Sequence, residues 1–210
     1  MVDSSKSLAR STSLIAVVIP IKAFEQAKDR LSSVLSADQR QLLARTTALG
    51  VIESVRPASL FVVCDNPEVS QWATSHGATV VHQLEPGLNV AVQAGITAAQ
   101  GFERVMIVHG DLPLPNRLRE LLNSTVASNT VTIVPDRHRD GTNVLIIPSN
   151  AGFTCRYGAN SFEAHKAEAA KLGLPIQIVE DDELALDIDT PDDLGALPTH
   201  WLEHHNITLI

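Results

Sequence analysis

The sequence has little of what would commit it to the most easily recognised functional classes. Only two cysteines occur, Cys64 and Cys155. Their spacing matches no metal-ligand pattern and Cys64 ends an apolar run, so both read as buried thiols. Positive charge is not in excess. The formal net charge of -8 argues against a general nucleic-acid binder, because such proteins carry a basic face that releases counterions from phosphate. An anionic substrate would then be held locally, by a metal and a few Lys or Arg. No apolar run approaches the length of a membrane span. Residues 1–13, polar and serine-rich, lack the charged region, apolar core and cleavage site of a signal peptide. A soluble, cytoplasmic protein with no membrane or nucleic-acid partner is expected. Repeats, coiled-coil heptads and low-complexity tracts are also missing.

What is present is alternation. Short apolar runs at 14–19, 60–64, 79–82, 105–108, 130–134, 144–147 and 176–179 are separated by helical patterns, the signature of βαβ units around one mostly parallel sheet. The expected fold class is α/β in a single domain, a size that buries one large core without disulfides or structural metal. Residues 1–13 are expected as a flexible N-terminus, 14–197 as the domain and 198–210 as a tail. The tail's His200, His204 and His205 read as solvated surface rather than a metal site.

Local signals place the helices. Ser36-Ala37-Asp38-Gln39 has the form of a capping box opening a helix to about Ser54, with Leu42, Leu43, Ala48 and Leu49 as its core face. Pro67 starts a second helix that Gly77 stops, and Asn89 is expected to cap a third running to Gly101. Pro115 begins a fourth. A fifth spans 161–172 and ends at Gly173, with Ser161 as its natural N-cap.

The chemistry concentrates in two acidic loops. His109-Gly110-Asp111-Leu112-Pro113 follows an apolar strand, and Leu186-Asp187-Ile188-Asp189-Thr190-Pro191 precedes a capped final helix. Each reads as chain delivering carboxylates to the C-terminal end of the sheet, where open α/β folds bind ligands. Asp187 and Asp189, two apart, point to the same side of an extended chain. With Asp111 they outline a hard oxygen cage suited to Mg²⁺ and a polyphosphate. A lone Asp111 would equally be an ordinary turn residue; it is the set of three that favours metal.

The remaining motifs admit two readings each. Lys22, Lys28 and Arg30 follow the first strand and either grip a triphosphate or decorate an exposed turn; the Gly-rich turn and Gly-Lys-Ser/Thr ending of a Walker loop are absent. Gly87-Leu88-Asn89 is either a helix N-terminus offering N–H groups to a nucleotide or a plain loop ending. Thr142 and Asn143 at a strand entrance, and Tyr157-Gly158 leading to Ser161, either meet an anion or only serve turns and caps.

Taken together and in order, these residues resemble one family. Ile19-Pro20-Ile21-Lys22 with Lys28-Asp29-Arg30-Leu31, Gly87-Leu88-Asn89, Gly110-Asp111-Leu112-Pro113, Pro135-Asp136-Arg137 with Gly141-Thr142-Asn143, Tyr157-Gly158 with Ser161-Phe162 and His165, and Leu186-Asp187-Ile188-Asp189-Thr190-Pro191 are similar to motifs of the 2-phospholactate guanylyltransferases and their bacterial relatives in coenzyme F-420 biosynthesis. The resemblance implies a nucleotidyltransferase fold of the glycosyltransferase-A-like type, with a mixed, mostly parallel sheet. It implies transfer of GMP from GTP to the phosphate of 2-phospho-L-lactate, phosphoenolpyruvate or 3-phospho-D-glycerate, with release of pyrophosphate. It assigns Asp111, Asp187 and Asp189 to one or two Mg²⁺, and Thr142, Gly158 and Ser161 to the phosphorylated acid. Lys22, Lys28 and Arg30 are assigned to the triphosphate, with Lys22 also catalytic, and Gly87 to Asn89 to the nucleoside. His109-Gly110 and Tyr157 depart mildly from the common pattern, which often has Pro-Ala and Phe there. A homodimer is the default for a small enzyme, and the next enzyme of the pathway is the expected recipient of an unstable product. The competing readings are a cytidylyl- or uridylyltransferase acting on a sugar or alcohol phosphate, and a non-catalytic GTP-binding subunit.

Overall fold

A computed structural model of the protein describes residues 15–83, 85–124 and 126–210. The expected flexible N-terminus, 1–13, and Leu14 of the expected first strand lie outside the described residues. All seven expected strands form: β1 (Ile15–Pro20), β2 (Ser59–Cys64), β3 (Thr79–His82), β4 (Arg104–Val108), β5 (Val131–Pro135), β6 (Thr142–Pro148) and β7 (Ile176–Ile178). They make one sheet in the order β3-β2-β1-β4-β6-β5-β7. β6 pairs antiparallel with both β4 and β5, and every other pairing is parallel. The sheet is therefore mixed and mostly parallel, as the fold class expected.

The inversion of β6 matters for the site. Because β6 runs against its neighbours, its first residues lie level with the C-terminal ends of β4 and β5: Val144 faces Val108 and Thr142 faces Pro135. The strand order also reverses direction between β1 and β4, which opens a crevice at the C-terminal edge. Chain leaving β1, β4 and β5 and chain entering β6 all meet there.

Strands apolar on both sides need a cover on both faces. Alternate residues Val17, Ile19, Val62, Met106, Val108, Val144 and Ile146 belong to one apolar cluster, with α1 (Ala37–Ser54) and α2 (Pro67–Ser75). Their neighbours Ala16, Val18, Val63, Val105, Ile107, Leu145 and Ile147 belong to a second, with α3 (Leu88–Ala98) and α5 (Ser161–Lys171). The short helices α4 (Leu118–Leu122), α6 (Pro191–Gly195) and α7 (Trp201–His204) complete the chain. The Ser36 hydroxyl caps α1 by accepting from the Gln39 amide, and Asn66 caps α2 ahead of Pro67. Among the described residues no helix is long and apolar enough to cross a membrane.

Four local expectations are corrected. The buried face of α1 is Leu43, Ala44, Thr47, Ala48, Val51 and Ile52, while Leu42 and Leu49 are only half-buried. Helix α3 begins one residue before Asn89, with Gly87 at φ +124° in the cap position, because the Asn89 amide is engaged elsewhere. Ser161 is the first helical residue of α5 and is buried; the cap position belongs to Asn160 at φ +59°. The segment expected as a tail carries α7, and Trp201 and Ile207 pack with Leu31, Leu35, Leu43, Ile188 and Leu194 in a third apolar cluster. The Trp201 indole N–H donates to the Pro113 carbonyl at 3.1 Å, and the Ile210 amide to Val34 at 3.0 Å. Two large apolar side chains fixed this way hold chain that a polar, His-rich composition did not advertise.

Gly95 sets how closely α3 lies on the sheet, since a Cβ there would collide with Val18 Cγ1 and stand 3.0 Å from Val63 Cγ2. Gly95→Ala is expected to lower stability by about 1–3 kcal/mol through overpacking, read as a reduced urea midpoint with an unchanged slope; a neutral substitution would mean the helix has room to retreat.

Candidate active site

The loop after β1 is built to turn one cation inward. Phe24 and Leu31, both buried, anchor two short 3-10 turns, Phe24–Gln26 and Asp29–Leu31. Between them Lys28 adopts the left-handed conformation, φ +60°, and its side chain is only 8% exposed. Its ammonium donates to Asp111 Oδ2 at 2.9 Å and to Asp189 Oδ1 at 3.0 Å. Arg30, 76% exposed, reaches Asp189 Oδ2 at 3.9 Å from the rim. Lys22 is exposed just beyond β1 and forms no ion pair among the described residues.

The carboxylates arrive by two routes. Asp111 follows β4, where the His109 amide extends the ladder by donating to the Asn143 carbonyl at 3.2 Å. The segment 186–189 is pinned by burial of Leu186 and Ile188, which turns Asp187 and Asp189 to the other side, and the Ile188 amide donates to the Asp111 carbonyl at 3.3 Å. A reciprocal cap on α6 then fixes Asp189. The amides of Asp189 and Thr190 donate to Asp193 Oδ2 at 2.9 and 2.6 Å, and Arg137 pairs with Asp193 Oδ1 at 2.5 Å. Burial pushes the Asp193 carboxyl up, but those donors and the Arg137 charge outweigh it and hold it below the ordinary range. Asn143, buried at the entrance of β6, donates to the Leu184 carbonyl at 3.0 Å and to Asp187 Oδ1 at 3.5 Å.

One oxygen from each of Asp111, Asp187 and Asp189 lies within 4.8 Å of the others. Burial tends to neutralise Asp111, yet the Lys28 charge beside it keeps its carboxyl below the usual value. Lys28 is the reciprocal case: burial favours the neutral amine, and the two carboxylates more than restore its charge. Asp187 has no such partner. Burial, then the neighbouring charges of Asp111 and Asp189, push it up to about 6. The cluster thus carries more negative charge than one ammonium balances, and Asp111 Oδ1 is buried without a hydrogen-bond partner. Hard oxygen donors, an unengaged buried oxygen and an uncompensated carboxylate fit a divalent cation.

Beside this cluster lies a second group. Thr142, Ser161 and His165 are all buried. The Ser161 and Thr142 hydroxyls are 3.4 Å apart, and His165 Nδ1 is 3.0 Å from Thr142 Oγ1. Gly158, at φ +128° with open space where a Cβ would stand, turns the chain between Tyr157 and α5. Asn89 grips Tyr157 from both sides: Oδ1 accepts from its amide at 2.7 Å and Nδ2 donates to its carbonyl at 3.0 Å. The Tyr157 ring is 5.1 Å from that of His109, two residues before Asp111.

The structure thus brings Lys28, Asp111, Asp187 and Asp189 together with Arg30 at their edge, and separately joins Thr142 to Ser161. Lys22 remains apart in solvent, Asn89 reaches the acidic loops through Tyr157 and His109, and Gly87 stands before it at the start of α3. The reading of residues gave no separate role to His165 or Arg137, and it read Asn143 as a donor to an anion, whereas its amide is engaged by the Leu184 carbonyl and Asp187. The spacing Ser161-x-x-x-His165, which stacks two polar side chains on one helical face, was the available signal for the first.

A mixed sheet whose switch point gathers three carboxylates and a buried Lys is an arrangement suited to a nucleotidyltransferase. A solved nucleotidyl transferase from Methanothermobacter thermautotrophicus shares the fold, with TM-score 0.63 at 17% identity over 90% of this chain and 98% of that one. Residues 15–208 match the family described as Guanylyl transferase CofC like, and the chain belongs to that family. It is 37% identical over 190 residues to the phosphoenolpyruvate guanylyltransferase of Conexibacter woesei, covering 86% of this chain and 85% of that protein. It is 30% identical over 189 residues to the 2-phospho-L-lactate guanylyltransferase of M. thermautotrophicus, covering 87% and 83%. The resemblance read from the motifs is borne out, and the alternative readings are not favoured.

The raised Asp187 carboxyl gives the cluster a pH signature. A group protonated more readily in the folded state lends stability below its unfolded value, near 3.8, which is lost as pH rises through about 6. In chelator, Asp187→Asn should therefore overtake wild type across that window and be more stable by on the order of 1–2 kcal/mol above it. Adding a divalent cation should raise the Tm of wild type and not of the variant. Parallel melting curves from pH 4 to 8 would reject this account of the cluster.

Proposed function

We propose that this protein transfers GMP from GTP to the phosphate of a small phosphorylated three-carbon acid in coenzyme F-420 biosynthesis, with Mg²⁺ held by Asp111, Asp187 and Asp189. The observation that carries the reading is the buried ammonium of Lys28 shared by two carboxylates beside an uncompensated third. Family membership supplies the guanylyl donor. The name of the C. woesei relative makes phosphoenolpyruvate the first acceptor to test, and that of the archaeal relative makes 2-phospho-L-lactate the second.

Chemically the demands are few. An oxygen of the acceptor phosphate, already anionic at neutral pH, attacks the α-phosphorus of GTP; that bond forms as the bond to the β-phosphate oxygen breaks, and pyrophosphate departs. No general base is required, so the residues act by positioning and charge. Lys28, kept protonated by its two partners, places a fixed positive charge against the triphosphate. Lys22 and Arg30 meet its outer phosphates from the exposed rim. Thr142, Ser161 and the turn at Gly158 hold the acid, and Gly87 with the start of α3 faces the nucleoside. When bound, Mg²⁺ neutralises phosphate charge and favours the departure of pyrophosphate. The reaction belongs in the cytoplasm, and its phosphoanhydride product calls for prompt transfer to the enzyme that consumes it.

Pyrophosphate release from GTP and Mg²⁺, followed with phosphoenolpyruvate, 2-phospho-L-lactate and 3-phospho-D-glycerate in parallel, is expected with at least one acid. Silence with all three, alongside turnover of CTP or UTP with a sugar phosphate, would overturn the reading. Asp189→Asn and Asp187→Asn are each expected to reduce kcat by roughly 10²–10³-fold with folding retained, the scale of losing a group that stabilises transition-state charge.

A further inference from the structure

His165 is wholly buried on α5, one helical turn beyond Ser161. Both of its ring nitrogens are engaged. Nε2 lies 3.0 Å from the backbone amide of Arg156, which can only donate. A ring nitrogen that accepts carries no proton, so in the neutral ring the proton sits on Nδ1. Burial pulls the His165 pKa down to about 4, which keeps the ring neutral at physiological pH. Nδ1–H therefore donates to Thr142 Oγ1 at 3.0 Å. The ring has little freedom to do otherwise, since Tyr157 packs edge-on at 4.9 Å and Phe153 lies 6.1 Å away.

This fixes the polarity of Thr142. A hydroxyl has two lone pairs and one proton. His165 occupies one lone pair and the Ser161 hydroxyl, 3.4 Å away, approaches the other. The Thr142 proton cannot point at a nitrogen that is itself a donor; with the Ser161 hydroxyl donating to Thr142, it is left for an outside acceptor. With the opposite tautomer Thr142 would donate inward to His165 and turn a lone pair toward the site, repelling a carboxylate or phosphate. The backbone of Arg156 decides between these states, and Tyr157, next in the chain, is clamped by Asn89.

We propose that His165 is a positioning residue for the acceptor acid: its Nδ1–H, held in one tautomer by the Arg156 amide, turns the Thr142 hydroxyl proton outward to the anionic substrate. This rests on the reading of Thr142 and Ser161 as the acid-binding pair, and goes beyond it by naming what makes that pair a donor.

The test is steady-state kinetics of the full chain with phosphoenolpyruvate or whichever of the three acids turns over, varying acid and GTP separately. His165→Asn and His165→Gln form the decisive pair, because an Asn amide places its N–H near the position of Nδ1 and a Gln amide near that of Nε2. His165→Gln is expected to raise KM for the acid roughly tenfold or more, the scale of a lost hydrogen bond to a charged group, with KM for GTP little changed. His165→Asn should restore most of the acid affinity, a difference that a merely space-filling role would not produce. His165→Phe should behave like Gln if it folds, and adding Thr142→Val to the Gln variant should cost no more than Thr142→Val alone. Equal behaviour of Asn and Gln, or equal rises in both KM values, would overturn the role of His165 while leaving the site reading intact. If Thr142→Val itself leaves KM for the acid unchanged, the site reading fails and this inference with it.

Discussion

A single buried ammonium, Lys28 Nζ, lies within 3.0 Å of carboxylates that stand 83 and 161 residues further along the chain. Burying a charge costs several kcal/mol unless geometry and hydrogen bonds return it, so this contact constrains everything around it. Asp111 must sit at the mouth of β4, and the 186–189 segment must lie across it with its apolar residues inward. The loop after β1 must bend left-handed at Lys28. Three carboxylates against one buried ammonium, with only an exposed Arg30 reaching in at 3.9 Å, leave the cluster with an excess of negative charge. The protein alone is consequently in a state of electrostatic tension, with Asp187 bearing the excess.

The inverted strand β6 makes the second half of the site compatible with the first. A strictly parallel sheet would have sent Thr142 and Asn143 to the far edge, since a strand's first residues then lie opposite the ligand-binding end. Reversal places Asn143 against Asp187, and Thr142, one residue earlier and level with Pro135, against α5 through Ser161 and His165. One change of strand direction therefore brings the start of β6 to the end of the sheet where the acidic loops lie, without long connections.

Much of this was legible from residues alone. Strands covered on both faces are nearly continuous apolar runs, and their bounds were readable to within one or two residues. The acid pair of 187 and 189 was legible from period two, and the cap on α6 from Thr190-Pro191 with Asp193. Direction was not: nothing in Val144 to Ile147 announces that β6 runs backward, because antiparallel and parallel strands buried on both faces share a composition. Asn89 and Ser161 were misjudged as caps because their side chains suit that role, whereas their hydrogen bonds go to chain 68 and 19 residues distant. Among Lys22, Lys28 and Arg30, the one turned inward is decided by a backbone dihedral that no motif encodes.

The grip of Asn89 on Tyr157 bears on how the crevice breathes. Parting that seam strands an amide and a carbonyl together, at about 1–3 kcal/mol for each buried group left unpaired. Along the loop after β1 the exposed rim carries Arg30, 3.9 Å from its carboxylate, and Lys22, which forms no ion pair among the described residues, while Lys28 is fastened beneath them to Asp111 and Asp189. The crevice is therefore held by neutral hydrogen bonds on one side and by charge on the other. On the charged side attraction weakens with ionic strength, since exposed charges are screened over about 8 Å in physiological salt, whereas the Asn89–Tyr157 pair is built of neutral groups.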